Sequence, residues 1–182
     1  MTNRRLETER LILRPIEEAD IDLALEMNTD PEVTKHLGGP LSVEENQKRM
    51  NKWLNLQKEG PHFGIWLMVR KEDNRKLGTI GMFKMPVDEE ETTFTDYIEI
   101  GYRSIPEAWG KGYMTEGAKE VIRYIFTQTE LEEIAGCADH ENFASQTVLQ
   151  KIGLEPKGTF YCYSDDLPFF LAQKDKWLAA YD

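Results

Sequence analysis

The stretch of this chain best equipped for chemistry reads Ile98-Glu-Ile-Gly-Tyr-Arg-Ser-Ile-Pro-Glu-Ala-Trp-Gly-Lys-Gly-Tyr-Met-Thr-Glu-Gly117. Its start alternates like a strand, and Gly110 and Gly112 form a loop that opens a helix. The first turn of a helix exposes N–H groups with no partner inside the helix, at the positive end of the helix dipole. Glycines let the backbone come close to an anion there, and Lys111 between them adds a positive charge, so the loop is suited to cradling phosphate. Two common phosphate patterns are excluded. No Ser or Thr follows Lys111, as a Walker loop requires, and Thr115 stands where the dinucleotide fingerprint has its third glycine. A lone Gly-x-Gly before a helix also serves as a plain turn, so the surrounding pattern has to decide.

The elements that must position this loop are legible from periodicity. Strands are expected at 10–14, 63–70, 77–85, 95–103 and 133–138, with two more towards the C-terminus. Asp20 is expected to cap a helix whose buried face is Ile21, Ala24 and Leu25. Ser42 and Glu45 form a capping-box pattern ahead of a helix that buries Met50, Trp53 and Leu54. After the loop, Met114, Ala118, Val121, Ile122, Ile125 and Phe126 make one helical stripe. A further helix over 142–152 has Gly153 in the C′ position. Asp88 to Glu91 reads as a solvated hairpin connection. On strand 95–103, Ile98, Ile100 and Tyr102 face one way and Glu99, Gly101 and Arg103 the other. Hairpins on either side of a central β–loop–α–β–α argue for an α+β (mixed α/β) sheet covered by helices on both faces, in one domain spanning 1–182.

Composition narrows the function. Apolar residues make up 40% and charged residues 30%, which is ordinary for a globular chain. Acidic residues outnumber basic ones by 33 to 22, which argues against direct nucleic-acid binding and suits a cationic partner. No apolar run approaches the length of a membrane span, and the residues after Arg4 and Arg5 carry charge, so a cytoplasmic protein is expected. Cys137 and Cys162 are too few for a disulfide framework or a cysteine zinc site and read as buried thiols. His36, His62 and His140 show no ligand spacing, and no metal is expected. Cys137 near His140 allows a thiol acyltransferase, although nothing in the sequence orients the histidine. The aromatics Phe160, Tyr161, Tyr163, Phe169, Phe170 and Trp177 read mainly as sheet core, with lining of the acceptor site or a dimer contact the alternative for some of them.

Three blocks together resemble the GNAT superfamily of N-acetyltransferases, particularly its ribosomal-protein N-terminal and diamine acetyltransferase branch. Glu107-Ala-Trp-Gly-Lys-Gly112, continuing through Tyr113-Met-Thr-Glu116, is similar to the family's acetyl-CoA pyrophosphate loop, with Glu107 in place of its first Gln or Arg. Asn142-x-x-Ser145 with Leu149, Lys151, Gly153 and Leu154 resembles the family's Asn-x-x-Ser segment, and Leu6 to Pro15 its first strand. The resemblance implies a mostly antiparallel twisted sheet with a splayed parallel strand pair. It implies acetyl-CoA as co-substrate, held by Trp109, Gly110, Lys111, Gly112, Tyr113, Met114 and Thr115. Asn142 would bond the pantetheine arm and Ser145 would lie near the thioester sulfur. A backbone N–H around Ile100, Gly101 and Tyr102 would polarise the thioester oxygen. A homodimer is compatible with the branch.

Acetyl transfer to an amine needs a neutral nucleophile, and a carboxylate beside the thioester can remove the proton. Glu99 occupies the family's Glu-Ile-Gly-Tyr position and is the expected base; as a mere strand residue it would face solvent. Val148 and Leu149 fill the neighbourhood where many members carry a proton-donating tyrosine, which leaves Ser145 as the candidate partner of the departing thiolate. The acceptor is a primary amine: a protein N-terminus, a polyamine or another small amine. The alternative from another class is a non-catalytic acyl-CoA sensor or assembly module of the same fold.

Overall fold

The computed structural model describes residues 4–181. In chain order the elements are β1 (Leu6–Glu7), β2 (Leu11–Pro15), α1 (Ile21–Thr29), α2 (Pro31–Thr34), α3 (Val43–Leu56), β3 (Gly64–Arg70), β4 (Lys76–Pro86), β5 (Phe94–Ser104), α4 (Tyr113–Gln128), β6 (Glu133–Cys137), α5 (Phe143–Lys151), β7 (Glu155–Cys162), β8 (Asp165–Gln173) and α6 (Lys174–Tyr181). Hydrogen bonding orders the strands β1-β2-β3-β4-β5-β6-β8-β7 in a mostly antiparallel sheet with one parallel pair, the mixed fold that was expected. Three elements lie outside the sequence expectation. β1 is only two residues long, α2 is a four-residue turn of helix, and α6 buries Trp177 alone, too little for a periodic signal.

The chain forms two compact units, and β4, β5 and α4 each run from one into the other. The first comprises the chain up to Gly81 with Tyr102–Val121. In it β2 inserts Leu11 and Leu13, both fully buried, and β3 is buried along Ile65 to Met68. A strand covered on both faces reads as a continuous apolar run, which is how β3 appears in the sequence. The α3 capping box forms as expected: Ser42 Oγ accepts from the Glu45 N–H, and Glu45 Oε2 accepts from the Ser42 N–H. Its buried stripe is Asn46, Met50, Trp53 and Leu56, with Leu54 only half-buried.

The start of α1 departs from expectation. The Asp20 side chain does not cap the helix. It takes the two terminal nitrogens of Arg14 at 2.8 Å each, the Glu17 N–H at 2.9 Å and Lys76 Nζ at 2.9 Å. Burial pushes its acidity the other way, but the Arg14 fork and the added donors hold its pKa down to about 2. Anchored there, α1 turns Leu23, Ala24, Met27 and Asn28 inward and leaves Ile21 and Leu25 half-buried. Asn28 then donates to Asn46 on α3 at 2.8 Å and accepts from Arg103, whose guanidinium lies 5.7 Å from the Trp53 ring centroid.

The second unit comprises Met82–Gly101 and the chain from Ile122 on. Here β5 and β6 run parallel, in register at Glu99 and Ala135. The antiparallel neighbour β8 is registered on β6 from Glu133↔Gln173 to Cys137↔Phe169. Along α4, Ala118, Val121, Ile122, Ile125 and Phe126 are buried as expected, while Met114 is half-buried. Helix α5 ends in a Schellman motif: Gly153 has φ +94°, its N–H reaches Gln150 O, and the Leu154 N–H reaches Leu149 O at 3.0 Å.

α5 packs tightly on β6 because residue 136 has no side chain. A Cβ on Gly136 would sit 2.5 Å from Leu149 Cδ2 and 3.1 Å from Leu154 Cδ2. Gly136→Ala is therefore expected to destabilise the protein by about 1–3 kcal/mol by overpacking. Thermal unfolding checks this through a midpoint lowered by roughly 2–4 °C per kcal/mol.

Candidate active site

The glycine loop belongs to the first unit. Gly110 and Gly112 adopt φ +70° and +78°, a left-handed region that favours glycine. A Cβ on Gly110 would meet nothing within 4 Å, and one on Gly112 only Arg10 Nη2 at 3.5 Å, so the loop faces open space. The α4 ladder begins with the Glu116 N–H on Gly112 O at 3.0 Å. The N–H groups of Tyr113, Met114 and Thr115 precede it, so they have no acceptor within the helix. Loop, open face and donors fit a phosphate anion.

Three side-chain contacts hold the loop in shape. Trp109 Nε1 donates to Ser104 O at 3.1 Å. Glu107, at the position where the resemblance has Gln or Arg, accepts from Arg70 Nη2 at 2.8 Å and Arg75 Nε at 3.3 Å, and those arginines are tied in turn to Asp73 and Glu26. Its carboxylate is therefore an anchor. Arg10 is the residue that sequence reasoning missed. Its Nη1 donates to Lys111 O at 2.9 Å, its Nε to Glu116 at 2.7 Å, and its guanidinium lies 4.4 Å from the Tyr113 ring centroid. Glu116 also accepts from Thr8 Oγ1 and the Arg10 N–H, and these donors outweigh burial and lower its pKa. Arg10 thus adds a second cation beside Lys111. The only sequence signal was its place in the first-strand block.

The second unit holds Glu99. Its side chain is 4% exposed, so the reading that it faces solvent is overturned: β5 is covered on both faces here, with Ile98 and Ile100 buried as well. Tyr163 Oη donates to Glu99 Oε2 at 2.7 Å, and the Cys137 thiol donates to Oε1 at 3.4 Å. Burial raises the Glu99 pKa to about 7, against the smaller opposing pull of the two donors. Around the pair lies an apolar cluster of Met85, Ala135, Cys162 and Phe169, with Tyr97 and Phe160 packed against it. In the sequence Tyr163 stands among aromatics read mainly as sheet core, and its contact with Glu99 has no local signal.

The thiol alternative does not survive this geometry. Contact with Cys162, burial and the neighbouring carboxylate all push the Cys137 thiol up, away from nucleophilic character. His140 is turned elsewhere, its Nε2 lying 2.8 Å from Asp166 O.

Asn142 and Ser145 stand together at the start of α5, where Asn142 Oδ1 accepts the Ser145 N–H at 3.1 Å. That bond caps the helix. Ile100 and Gly101 follow Glu99 on β5, with Tyr102 next in the first unit. A Cβ on Gly101 would lie 2.6 Å from Phe83 Cζ, so glycine lets that ring lie against the strand.

Comparison with known proteins finds relatives in both sequence and fold. Residues 10–155 match the family model described as an acetyltransferase (GNAT) domain. An FsC-acetyl coenzyme A-N(2)-transacetylase of Aspergillus fumigatus is 34% identical over 166 residues, covering 90% of this chain and 70% of that protein. Spermidine N-acetyltransferase from Vibrio cholerae, solved with CoA and spermine, superposes with a TM-score of 0.72 at 16% identity over 94% of this chain and 99% of that one. The ribosomal-protein-S5-alanine acetyltransferase from Vibrio fischeri gives 0.67 at 20% identity, covering 95% and 98%. At such identities the two structures establish the shared fold.

The Glu99 environment has a consequence for stability. Its folded pKa of about 7 lies above the 4.5 of an unperturbed glutamate, so the folded state binds the extra proton. The stability tied to this group is complete below about pH 4.5 and is lost as pH rises through 7. Glu99→Gln, which has no such titration, is expected to gain on the wild type by about 3 kcal/mol between pH 4.5 and 8. Urea unfolding of both proteins across that range checks the sign and size.

Proposed function

The chain belongs to the GNAT family of acetyltransferases, and on that premise we propose that it moves acetyl from acetyl-CoA to a primary amine by direct attack in a ternary complex. The enzyme class is an acetyl-CoA-dependent acyltransferase. Residues 1–182 are proposed to work as a single N-acetyltransferase domain. The observation that carries the reading is Glu99: a buried carboxylate on β5 with a pKa of about 7. A general base works best with a pKa near the operating pH, where it is both available and strong enough to take a proton.

Acetyl-CoA supplies an activated thioester and a pyrophosphate handle. The backbone of Gly110, Lys111 and Gly112, with the first N–H groups of α4 at Tyr113, Met114 and Thr115, holds the pyrophosphate, and Lys111 and Arg10 balance its charge. The Asn142 amide bonds the pantetheine arm. A backbone N–H within Ile100 to Tyr102 steadies the oxygen on which charge develops. Glu99 takes the proton from the amine as the nitrogen attacks, and Ser145 bonds the departing sulfur.

For the acceptor, a protein N-terminal amine is the first choice. Relatives and fold neighbours are named for an N(2)-transacetylase, a ribosomal-protein alanine and spermidine, which have an amine in common. The net charge of −11 suits a cationic acceptor. A cytoplasmic setting is in keeping with acetyl-CoA chemistry and with two free thiols.

Titration calorimetry with acetyl-CoA tests the cofactor half, with binding expected for the wild type and none for Gly112→Glu, which puts an anion in the cradle. Steady-state kinetics on an amine panel tests the base. Glu99→Gln should lower kcat by about 10²–10⁴-fold with acetyl-CoA affinity unchanged. Tight binding with no transfer by the wild type to any amine would instead identify a sensor.

A further inference from the structure

The β7–β8 hairpin closes through two residues, Tyr163 and Ser164, between the paired Cys162 and Asp165. Both are left-handed, with φ +52° and +62°. Two-residue hairpins with this conformation favour glycine and asparagine, because a side chain at positive φ crowds its own carbonyl. An aromatic residue there is locally strained and persists only where its surroundings enforce it. They do so here. The Tyr163 N–H donates to Pro86 O at 3.2 Å, the Ser164 N–H to Val87 O at 2.8 Å, and Ser164 Oγ accepts from the Glu89 N–H at 3.2 Å. The same backbone geometry sends the Tyr163 ring into the apolar cluster and brings its hydroxyl to Glu99 Oε2 at 2.7 Å.

We propose that this strained turn exists to aim the Tyr163 hydroxyl at Glu99, so that Tyr163 is a positioning residue for the catalytic carboxylate. The inference rests on the reading of Glu99 as base. The titratable groups that face the carboxylate are Tyr163 from the turn and Cys137 from β6, with Cys162 of β7 beyond them and Tyr97 two residues earlier on the same face of β5. With hydroxyl and thiol donating to its two oxygens, the side chain is fixed in one orientation. Of the two donors, the hydroxyl is closer and stronger. Its bond favours the ionised form, so losing it raises the pH at which Glu99 becomes a base.

The test is Tyr163→Phe, which keeps the ring and removes the donor, alongside Glu99→Gln and the exposed control Tyr161→Phe. The titration of Glu99, followed by carbon-13 NMR of its carboxyl group without substrate, should move up by about one pH unit in Tyr163→Phe and stay put in Tyr161→Phe. The acidic limb of the kcat profile should move with it, giving about fivefold slower turnover at pH 7, approaching tenfold below about pH 6 and recovering at alkaline pH, with the KM for acetyl-CoA unchanged. An NMR midpoint equal to wild type in Tyr163→Phe overturns the positioning role. Full turnover by Glu99→Gln overturns the base assignment instead, and the carboxyl titration still reports whether the hydroxyl acts on Glu99.

Discussion

A carboxylate deprived of water has to be given hydrogen bonds by the protein, and Glu99 is such a carboxylate. Its neighbours follow from that need. β5 is buried at Ile98, Glu99 and Ile100, so both of its faces are covered there. Register with Ala135 puts Cys137, two residues on, on the same side of the sheet as the carboxyl group. The β7–β8 turn brings a phenol to the other oxygen. The balance is unequal: burial outweighs the donors, and the group settles near neutrality instead of in the usual carboxylate range. That setting is destabilising for the folded chain and useful for proton transfer, a common relation between stability and catalysis.

The glycine loop is organised on the opposite principle. It is exposed, its donors are backbone groups, and its geometry is held from outside by side chains of the same unit. Glu107 with Arg70 and Arg75 ties down one side, and Arg10 with Glu116 the other. Exposed ion pairs contribute little energy one at a time. Joined through shared arginines and carboxylates, they fix the direction of the chain into α4.

Much of this was legible in the sequence, for identifiable reasons. The loop could be read because Gly110 and Gly112 need a backbone conformation that few residues adopt. The capping box of α3 and the Schellman glycine of α5 are local chemistry and came out as expected. Glu99 was locatable on its strand, yet its burial was not, because alternation of apolar and polar residues normally means one wet face. The rotation of α1 was missed because Asp20 has the composition of a cap and the geometry of an ion-pair centre, a distinction set by Arg14 on the preceding strand and by Lys76 far along the chain. The contact of Tyr163 with Glu99 was not legible for a similar reason. Tyr-Ser is a poor sequence for its turn, and local rules read a poor fit as evidence against a turn, not as a sign of what the turn is for.

Arg10 and Lys111 sit at the loop as a local exception in a chain of net charge −11. A pyrophosphate-bearing molecule approaching from bulk solvent meets repulsion first and attraction only within the last ~8 Å, the screening length at physiological salt. An ammonium-bearing molecule meets the reverse. The two reactants of a transfer therefore feel the same field with opposite sign, and added salt speeds the arrival of one while slowing the other. The order in which they reach the enzyme becomes a function of ionic strength.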